Sequence, residues 1–447
     1  MALSELGVPD FLRDRTAGKT RKEIERHQSE LIPEAIAAAA RSPFWARRFG
    51  AAGVKPEAVR RPDDLYRLPT LDKPRYMAAL EADEAGYGGL LCGDLEETKR
   101  SGAIVYRSTG TTGRQARFIN THAGFQVFGD QGARLMVEAG ARPGDFVMIT
   151  FPLSFWAAGW GFYYGSRTLP ATLIPAGAPA DGLLRLQLIR EYRPAVVVLT
   201  PSYALTLGRQ AEAEGFDLPS FGVRGLLLGG ETFPQTRRQK IEELWGVRGG
   251  TRNFYGISEG GPLFAMECSA QDGLHLFEED QVHQFWAPEG NQPVEAGELG
   301  EHVFTALKQR VMATWVNFRS RDAAVYSDEA CSCGRATRRM WVKERLDDMV
   351  KVKGVNIFAS GVEEILHGVE HVGEEFRLVV DRVHDRDTVA LQVEVLPPGQ
   401  RETIVREVAR RIHAALGISF DVDPLDPGTL PKTELKARRW LDRRPKD

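Results

Sequence analysis

Between residues 145 and 257 the chain alternates short apolar runs with segments of helical spacing. The runs fall at 146–150, 171–175, 195–199, 226–228 and 252–255, and the helical segments at 182–192, 203–213 and 234–245. Ala195-Val196-Val197-Val198-Leu199 is β-branched and unbroken, the mark of a strand buried on both faces. Strands alternating with helices require a largely parallel sheet covered on each side, an α/β architecture.

The flanks differ. Residues 21–50 read as helical, with an alanine run at 35–40, and 56–69 reads as a loop-rich connection. Near Val303 the pattern turns to a more antiparallel region, with strands expected at 303–307 and 315–318. From 350 onward a smaller α+β unit is expected. Ser360-Gly361-Val362-Glu363 has capping-box form, 377–381 and 389–396 alternate like strands, and 402–416 is an amphipathic helix. For 447 residues, two or three units are the expected number.

A formal net charge of -3 gives no global basic field, so nucleic acid is not an expected partner. Residues 1–15 lack an apolar signal core, which points to the cytoplasm. Residues 146–166 carry no charged side chain and are about long enough to span a bilayer. They contain Pro152, Gly159, Gly161 and Gly165, so a buried strand plus pocket wall is expected and no membrane association.

Ser108-Thr109-Gly110-Thr111-Thr112-Gly113-Arg114 concentrates glycines, hydroxyls and a cation. Two glycines let successive N–H groups turn inward around a polyphosphate, although a polar surface turn has the same composition. No Lys-Ser/Thr follows the second glycine, so this is not a Walker loop.

That segment resembles the phosphate loop of the acyl-adenylate-forming superfamily, with Gln115 where proline is usual. The other stations follow in order. Leu228-Gly229-Gly230-Glu231 resembles the segment whose backbone lines the adenine and acyl pockets. Phe254-Tyr255-Gly256-Ile257-Ser258-Glu259 resembles the station where a tyrosine stacks on adenine and a glutamate holds Mg²⁺. Arg319-Ser320-Arg321-Asp322 resembles the station whose aspartate accepts from both ribose hydroxyls, as two carboxylate oxygens can. Arg345-Leu346-Asp347-Asp348 resembles the domain junction, with Arg345 on nucleotide and Asp347 as hinge. Lys351-Val352-Lys353-Gly354 resembles the segment approaching the coenzyme A thiol at Gly354. Leu430-Pro431-Lys432-Thr433-Glu434-Leu435-Lys436 resembles the catalytic loop, with Lys436 as the adenylation lysine. Glu344 and Leu435 stand where the family has glycine.

The resemblance implies a large domain at 1–345 and a small mobile α+β domain at 346–447. It implies ATP, Mg²⁺ and coenzyme A as participants and a small carboxylic acid as substrate. Marks such as Thr200-Pro201-Ser202-Tyr203, Gly273-Leu274-His275 and Cys331-Ser332-Cys333-Gly334-Arg335 resemble the phenylacetate–CoA ligases in particular. By that resemblance Phe155, Trp156, Trp160, Tyr163 and Tyr203 line an aryl-acid pocket, although aromatic residues in such a stretch also serve ordinary packing. Cys268, His275, Cys331 and Cys333 supply three thiolates and an imidazole, the donor set of a closed structural zinc site; buried reduced cysteines beside an unrelated histidine are the other reading. Cys92 is expected as an isolated core thiol. Transfer to an amine or a carrier-protein thiol, or a nucleotide-binding relative without catalysis, stays open, as does a homodimer.

Overall fold

The computed structural model describes residues 18–82, 87–108, 115–288, 290–308, 315–346, 350–352, 355–383, 386–431 and 439–444. Two compact units emerge. The first comprises Met1–Glu231, Arg237–Ser320 and Ala324–Trp341, and the second Thr232–Thr236, Arg321–Ala323 and Val342–Asp447.

The first unit opens with α1 (Arg21–Ala40) and α2 (Pro43–Ala51), then α3 (Lys73–Glu81) and α4 (Leu95–Arg100). The hairpin β1 (Ala103–Arg107) and β2 (Arg117–Thr121) precedes α5 (His122–Glu138). Trp45, Phe49, Tyr76, Phe118, Phe125 and Trp315 are buried together in the core beneath these elements.

The alternating segment folds as a parallel block. Strands β3 (Phe146–Ile149), β4 (Thr172–Pro175), β5 (Val196–Leu199), β6 (Gly225–Gly229) and β7 (Thr251–Ile257) are joined through α6 (Ala157–Thr168), α7 (Gly182–Tyr192), α8 (Pro201–Ala213) and α9 (Gln235–Trp245). They lie in the order β4-β3-β5-β6-β7, all parallel. All four residues of β5 are buried, as a strand covered on both faces should be.

Residues 146–166 form β3 and most of α6, and among the described residues no helix is long and apolar enough to cross a membrane. The glycines of this stretch let helices meet backbone to backbone. A Cβ on Gly132 would lie 2.7 Å from the Gly161 carbonyl oxygen, and one on Gly165 2.9 Å from the Ala133 nitrogen.

Beyond β7 the sheet turns antiparallel. Strands β8 (Gly261–Glu267), β9 (Leu274–Leu276), β10 (Gln281–Trp286), β11 (Leu299–Ala306), β12 (Phe318–Ser327) and β13 (Arg339–Arg345) complete eleven strands in the order β10-β11-β12-β13-β9-β8-β7-β6-β5-β3-β4. The expected strand at 315–318 begins only at Phe318. Trp315 is instead a buried core residue whose carbonyl accepts from the Ala306 N–H.

The second unit carries the hairpin β14 (Val350–Val352) and β15 (Val355–Ile357), then α10 (Ala359–His367). Its four-stranded sheet holds β16 (Val372–Val383), β17 (Arg386–Val395), β18 (Asp421–Leu425) and β19 (Trp440–Asp442), with α11 (Arg401–Leu416) between β17 and β18. Strand order is β18-β17-β16-β19. Val362, Leu366, Val408 and Ile412 from the helices pack on Leu378, Val380, Leu391 and Val393. The capping-box reading at Ser360 is corrected: α10 starts at Ala359 with Phe358 at its N-cap and no side-chain cap bond.

Candidate active site and metal centre

Because β3, β5, β6 and β7 are parallel, the segments that follow them leave the same end of the sheet. The order β4-β3-β5-β6-β7 places a topological switch point between β3 and β5, where open α/β sheets bind ligands. The aromatic segment 151–156 leaves β3, Thr200-Pro201-Ser202-Tyr203 leaves β5, Gly230 and Glu231 leave β6, and Ser258 and Glu259 follow β7.

Ser108 closes the neck of the hydroxyl-rich loop. Its N–H donates to the Ala116 carbonyl at 3.0 Å, and its buried hydroxyl oxygen accepts from the Ala116 N–H at 3.1 Å. The rest of the loop, Thr109, Gly110, Thr111, Thr112, Gly113 and Arg114, lies outside the described residues, as do Asp347, Gly354 and Lys436. Beside the neck, the Arg107 N–H donates to the Phe155 carbonyl at 2.6 Å, and the Arg107 guanidinium stands 5.5 Å from the Phe155 ring centre. The aromatic segment is thereby tied to the root of the loop.

Phe155 is 61% and Trp156 37% exposed, unusual for side chains of that size. Trp160 is half-buried, donates from its indole to the Ser154 carbonyl at 2.8 Å, and meets Tyr163 edge-on at 5.8 Å. The Tyr203 hydroxyl accepts from Arg185 at 2.6 Å, and Arg185 also holds the Ala176 carbonyl at 2.8 Å. Glu231 is committed locally: its carboxylate takes the Ser202 hydroxyl at 2.6 Å and the Ser202 N–H at 3.1 Å, at the start of α8. Gly230 has φ +86°, a conformation that favours glycine.

At the end of β7, a Cβ on Gly256 would fall 1.9 Å from the Pro262 carbonyl oxygen, so only glycine fits the turn toward β8. Glu259 is 7% exposed and faces the Lys73 ammonium at 3.5 Å. Lys73 escaped the sequence reading. Asp72 caps α3 by accepting from the Arg75 N–H at 2.9 Å, placing Lys73 in the first turn, and Leu71 bridges Phe318 to fix the approach. An Asp-Lys-Pro helix start was the available signal. Burial, with the Glu259 charge in addition, holds the Tyr106 phenol well above its ordinary value.

Asp322 and Arg345 both fall in the second unit. Asp322 is 6% exposed, and Arg345 reaches its Oδ1 at 3.4 Å. Arg321 just before it has φ +65°, rare for a residue with a Cβ.

Cys268, His275, Cys331 and Cys333 converge, their ligand atoms all within 4.8 Å of one another. Cys268 and Cys331 Sγ are 3.7 Å apart, and Cys333 Sγ is 3.5 Å from His275 Nε2. Tetrahedral bond lengths to zinc imply S···S near about 3.8 Å and S···N near about 3.6 Å. Two of the six donor pairs thus stand at the spacing a tetrahedral ion requires, and all four fall within 4.8 Å. His275 Nδ1 is engaged by the Thr337 hydroxyl at 2.8 Å, which leaves Nε2 for a metal. Burial pushes the Cys268 thiol up to about 12, so a thiolate there needs a cation beside it.

The family model described as AMP-binding enzyme matches residues 67–299, and that described as AMP-binding enzyme C-terminal domain matches 354–444. The phenylacetate–coenzyme A ligase of Thermus thermophilus is 30% identical over 449 residues, covering 95% of this chain and 97% of that one. That of Escherichia coli K12 is 30% identical over 413 residues, covering 90% of each. Among solved structures, 2-hydroxyisobutyryl-CoA ligase in the postadenylation state with 2-HIB-AMP is 25% identical, with a TM-score of 0.85 over 96% of this chain and 91% of that one. The chain belongs to the AMP-binding, adenylate-forming enzymes. Within them it is a member of the phenylacetate–CoA ligase family, an AMP-forming acid–thiol ligase that activates a carboxylic acid with ATP and forms a coenzyme A thioester.

Proposed function

We propose that the acid is an aryl or arylacetic acid, bound at the switch point between β3 and β5. The observation that carries this is the coupling of the aromatic segment to Arg107, one residue before the phosphate-loop neck. In this reading Phe155, Trp156, Trp160, Tyr163 and Tyr203 line the crevice, and flat aromatic walls suit an aromatic ring. The relatives named for phenylacetate agree with this reading.

In the first half-reaction the acid's carboxylate attacks the α-phosphorus of ATP and pyrophosphate leaves. Two anions meet, so neutralising charge is the main demand. Ser108 and the loop to Gly113 hold phosphates, Tyr255 stacks on adenine against Gly230, Glu231, Gly256 and Ser258, and Asp322 takes the ribose diol beside Arg345. Glu259 is the carboxylate that would hold Mg²⁺, which supplies charge neutralisation at the phosphates. Lys73 adds a cation at that carboxylate, and Lys436 is the adenylation lysine. In the second half-reaction the domain 346–447 turns about Asp347, Lys436 withdraws, and Gly354 admits the thiol, which attacks the acyl carbon and releases AMP. Cys268, His275, Cys331 and Cys333 would hold zinc as a closed structural site. The enzyme works in the cytoplasm, and a homodimer is its expected assembly.

Acid-dependent exchange of pyrophosphate into ATP over a panel of acids, followed by addition of coenzyme A, tests the substrate. Turnover is expected with phenyl and arylacetic acids. Turnover confined to long aliphatic or short hydroxy acids would overturn the aryl assignment.

A further inference from the structure

Two of the chain's histidines are buried where the reaction gives them no work. His283 on β10 and His302 on β11 are both fully buried. His283 Nδ1 lies 2.9 Å from His302 Nε2, and His302 Nδ1 lies 3.4 Å from the Tyr255 hydroxyl. The antiparallel half of the sheet curls so that β10 and β11 face β7 and β8. Phe264 meets Phe304 at 4.6 Å, and Tyr255 meets His302 edge-on at 5.7 Å. Phe264, Phe285 and Phe304 surround the His302 ring at 5.7–6.3 Å.

Charge has no place in such a box. Burial pulls His302 down to about 3, and burial together with His302 holds His283 well below its ordinary value. Both rings are therefore neutral, with one N–H each. Two arrangements remain. If Tyr255 donated to His302, the chain of bonds would leave His283 Nε2 as an N–H, and that atom is buried with no partner among the described residues. If His283 donates from Nδ1 to His302 Nε2, His302 donates from Nδ1 to the Tyr255 oxygen, and His283 Nε2 is left as a bare lone pair. Buried orphan N–H groups are the rarer of the two, so the second arrangement holds.

We infer that His302 is a positioning residue for the nucleotide, fixing the Tyr255 ring by donating to its hydroxyl while His283 locks the donating tautomer. The remaining Tyr255 O–H proton is then turned away from His302. This rests on the reading that Tyr255 stacks on the adenine base, and the test separates the two.

AMP affinity is measured by calorimetry on the full chain, with KM for ATP and kcat for pyrophosphate exchange alongside. Tyr255→Phe deletes the hydroxyl alone and is expected to weaken AMP about fivefold and raise KM for ATP, with kcat changed less than twofold. His302→Leu is expected to match it. His302→Asn, whose amide N–H can stand in for Nδ1–H, is expected to restore affinity to within twofold. In a Tyr255→Phe background, the Leu and Asn variants at 302 should be indistinguishable. Affinity unchanged in Tyr255→Phe, or equal losses for Leu and Asn with Tyr255 intact, would overturn the inference. Because Tyr255→Phe leaves both histidine side chains in place, the inference stays falsifiable even if a 302 variant fails to fold. If Tyr255→Ala also leaves AMP binding unchanged, the stacking assignment itself is what has failed.

Discussion

Glu259 and Lys73 show what a short pattern can and cannot reveal. Glu259 was legible because the Tyr-Gly-x-Ser-Glu spacing is local, and the strand before it could be read from periodicity. Lys73 comes from a distant helix start, and its meeting with Glu259 depends on the bridge between Leu71 and Phe318, which no local pattern announces. The Glu259 side chain is 9% exposed and that of Lys73 35%, so their attraction is less screened than between two surface groups. Glu259→Gln is expected to lower the adenylation rate about 100-fold and raise the Mg²⁺ needed for half-maximal rate, as loss of a charge-stabilising group does. Lys73→Met is expected to cost about tenfold in the same half-reaction. Thioester formation from supplied acyl-adenylate should change little in the lysine variant. Stopped assays of each half-reaction check this, and equal loss in both would remove Lys73 from phosphate chemistry. For Lys436→Ala the same pair of assays should show adenylation suppressed and thioester formation largely spared.

Among the elements, periodicity identified the parallel strands and their helices closely, because a fully buried strand and an amphipathic helix leave opposite patterns. The misreadings have physical causes. Glycines at 159, 161 and 165 look like breakers by helix propensity, yet α6 keeps them since it packs on α5 at backbone distance. Ser360 sits in a sequence with capping form, but the N-cap of α10 falls two residues earlier, at Phe358. Trp315 has strand-like neighbours and instead plugs the core ahead of β12. The packing of α5 on α6 carries its own prediction. Gly165→Val puts branched bulk 2.9 Å from the Gly132 and Ala133 backbone, where nothing flexible can yield. Overpacking of that kind costs roughly 1–3 kcal/mol, so the urea midpoint should fall, whereas Gly50→Ala in α2, with open space around it and no left-handed φ, should not lower it. Equal shifts would mean that helix spacing is not what the glycine secures.

At the scale of the whole molecule, the cysteine and histidine set ties together parts of the chain that lie far apart in sequence: the end of β8, strand β9 and the segment before β13. The residue types and, through the family resemblance, their meeting at one site were legible, but the pairing of β9 with both β8 and β13 that brings them together was not. Two donor pairs lie at zinc spacing, the ring of His275 is already oriented by Thr337, and four protein ligands would leave the proposed site no open position. A closed site of this kind contributes folding energy rather than chemistry. Purified enzyme is therefore expected to carry about one zinc per chain, and Cys331→Ser with Cys333→Ser to carry almost none. Loss of the staple should lower the melting temperature by about 5 °C or more, while KM for ATP and for the acid at 25 °C stay within about twofold for the folded fraction. Elemental analysis and a melting curve, with and without a strong chelator, read out both effects independently of turnover. Zinc-free protein with an unchanged melting curve would show that the four side chains pack without a metal. Folded, zinc-depleted enzyme that had lost adenylation altogether would show instead that the ion acts in the chemistry.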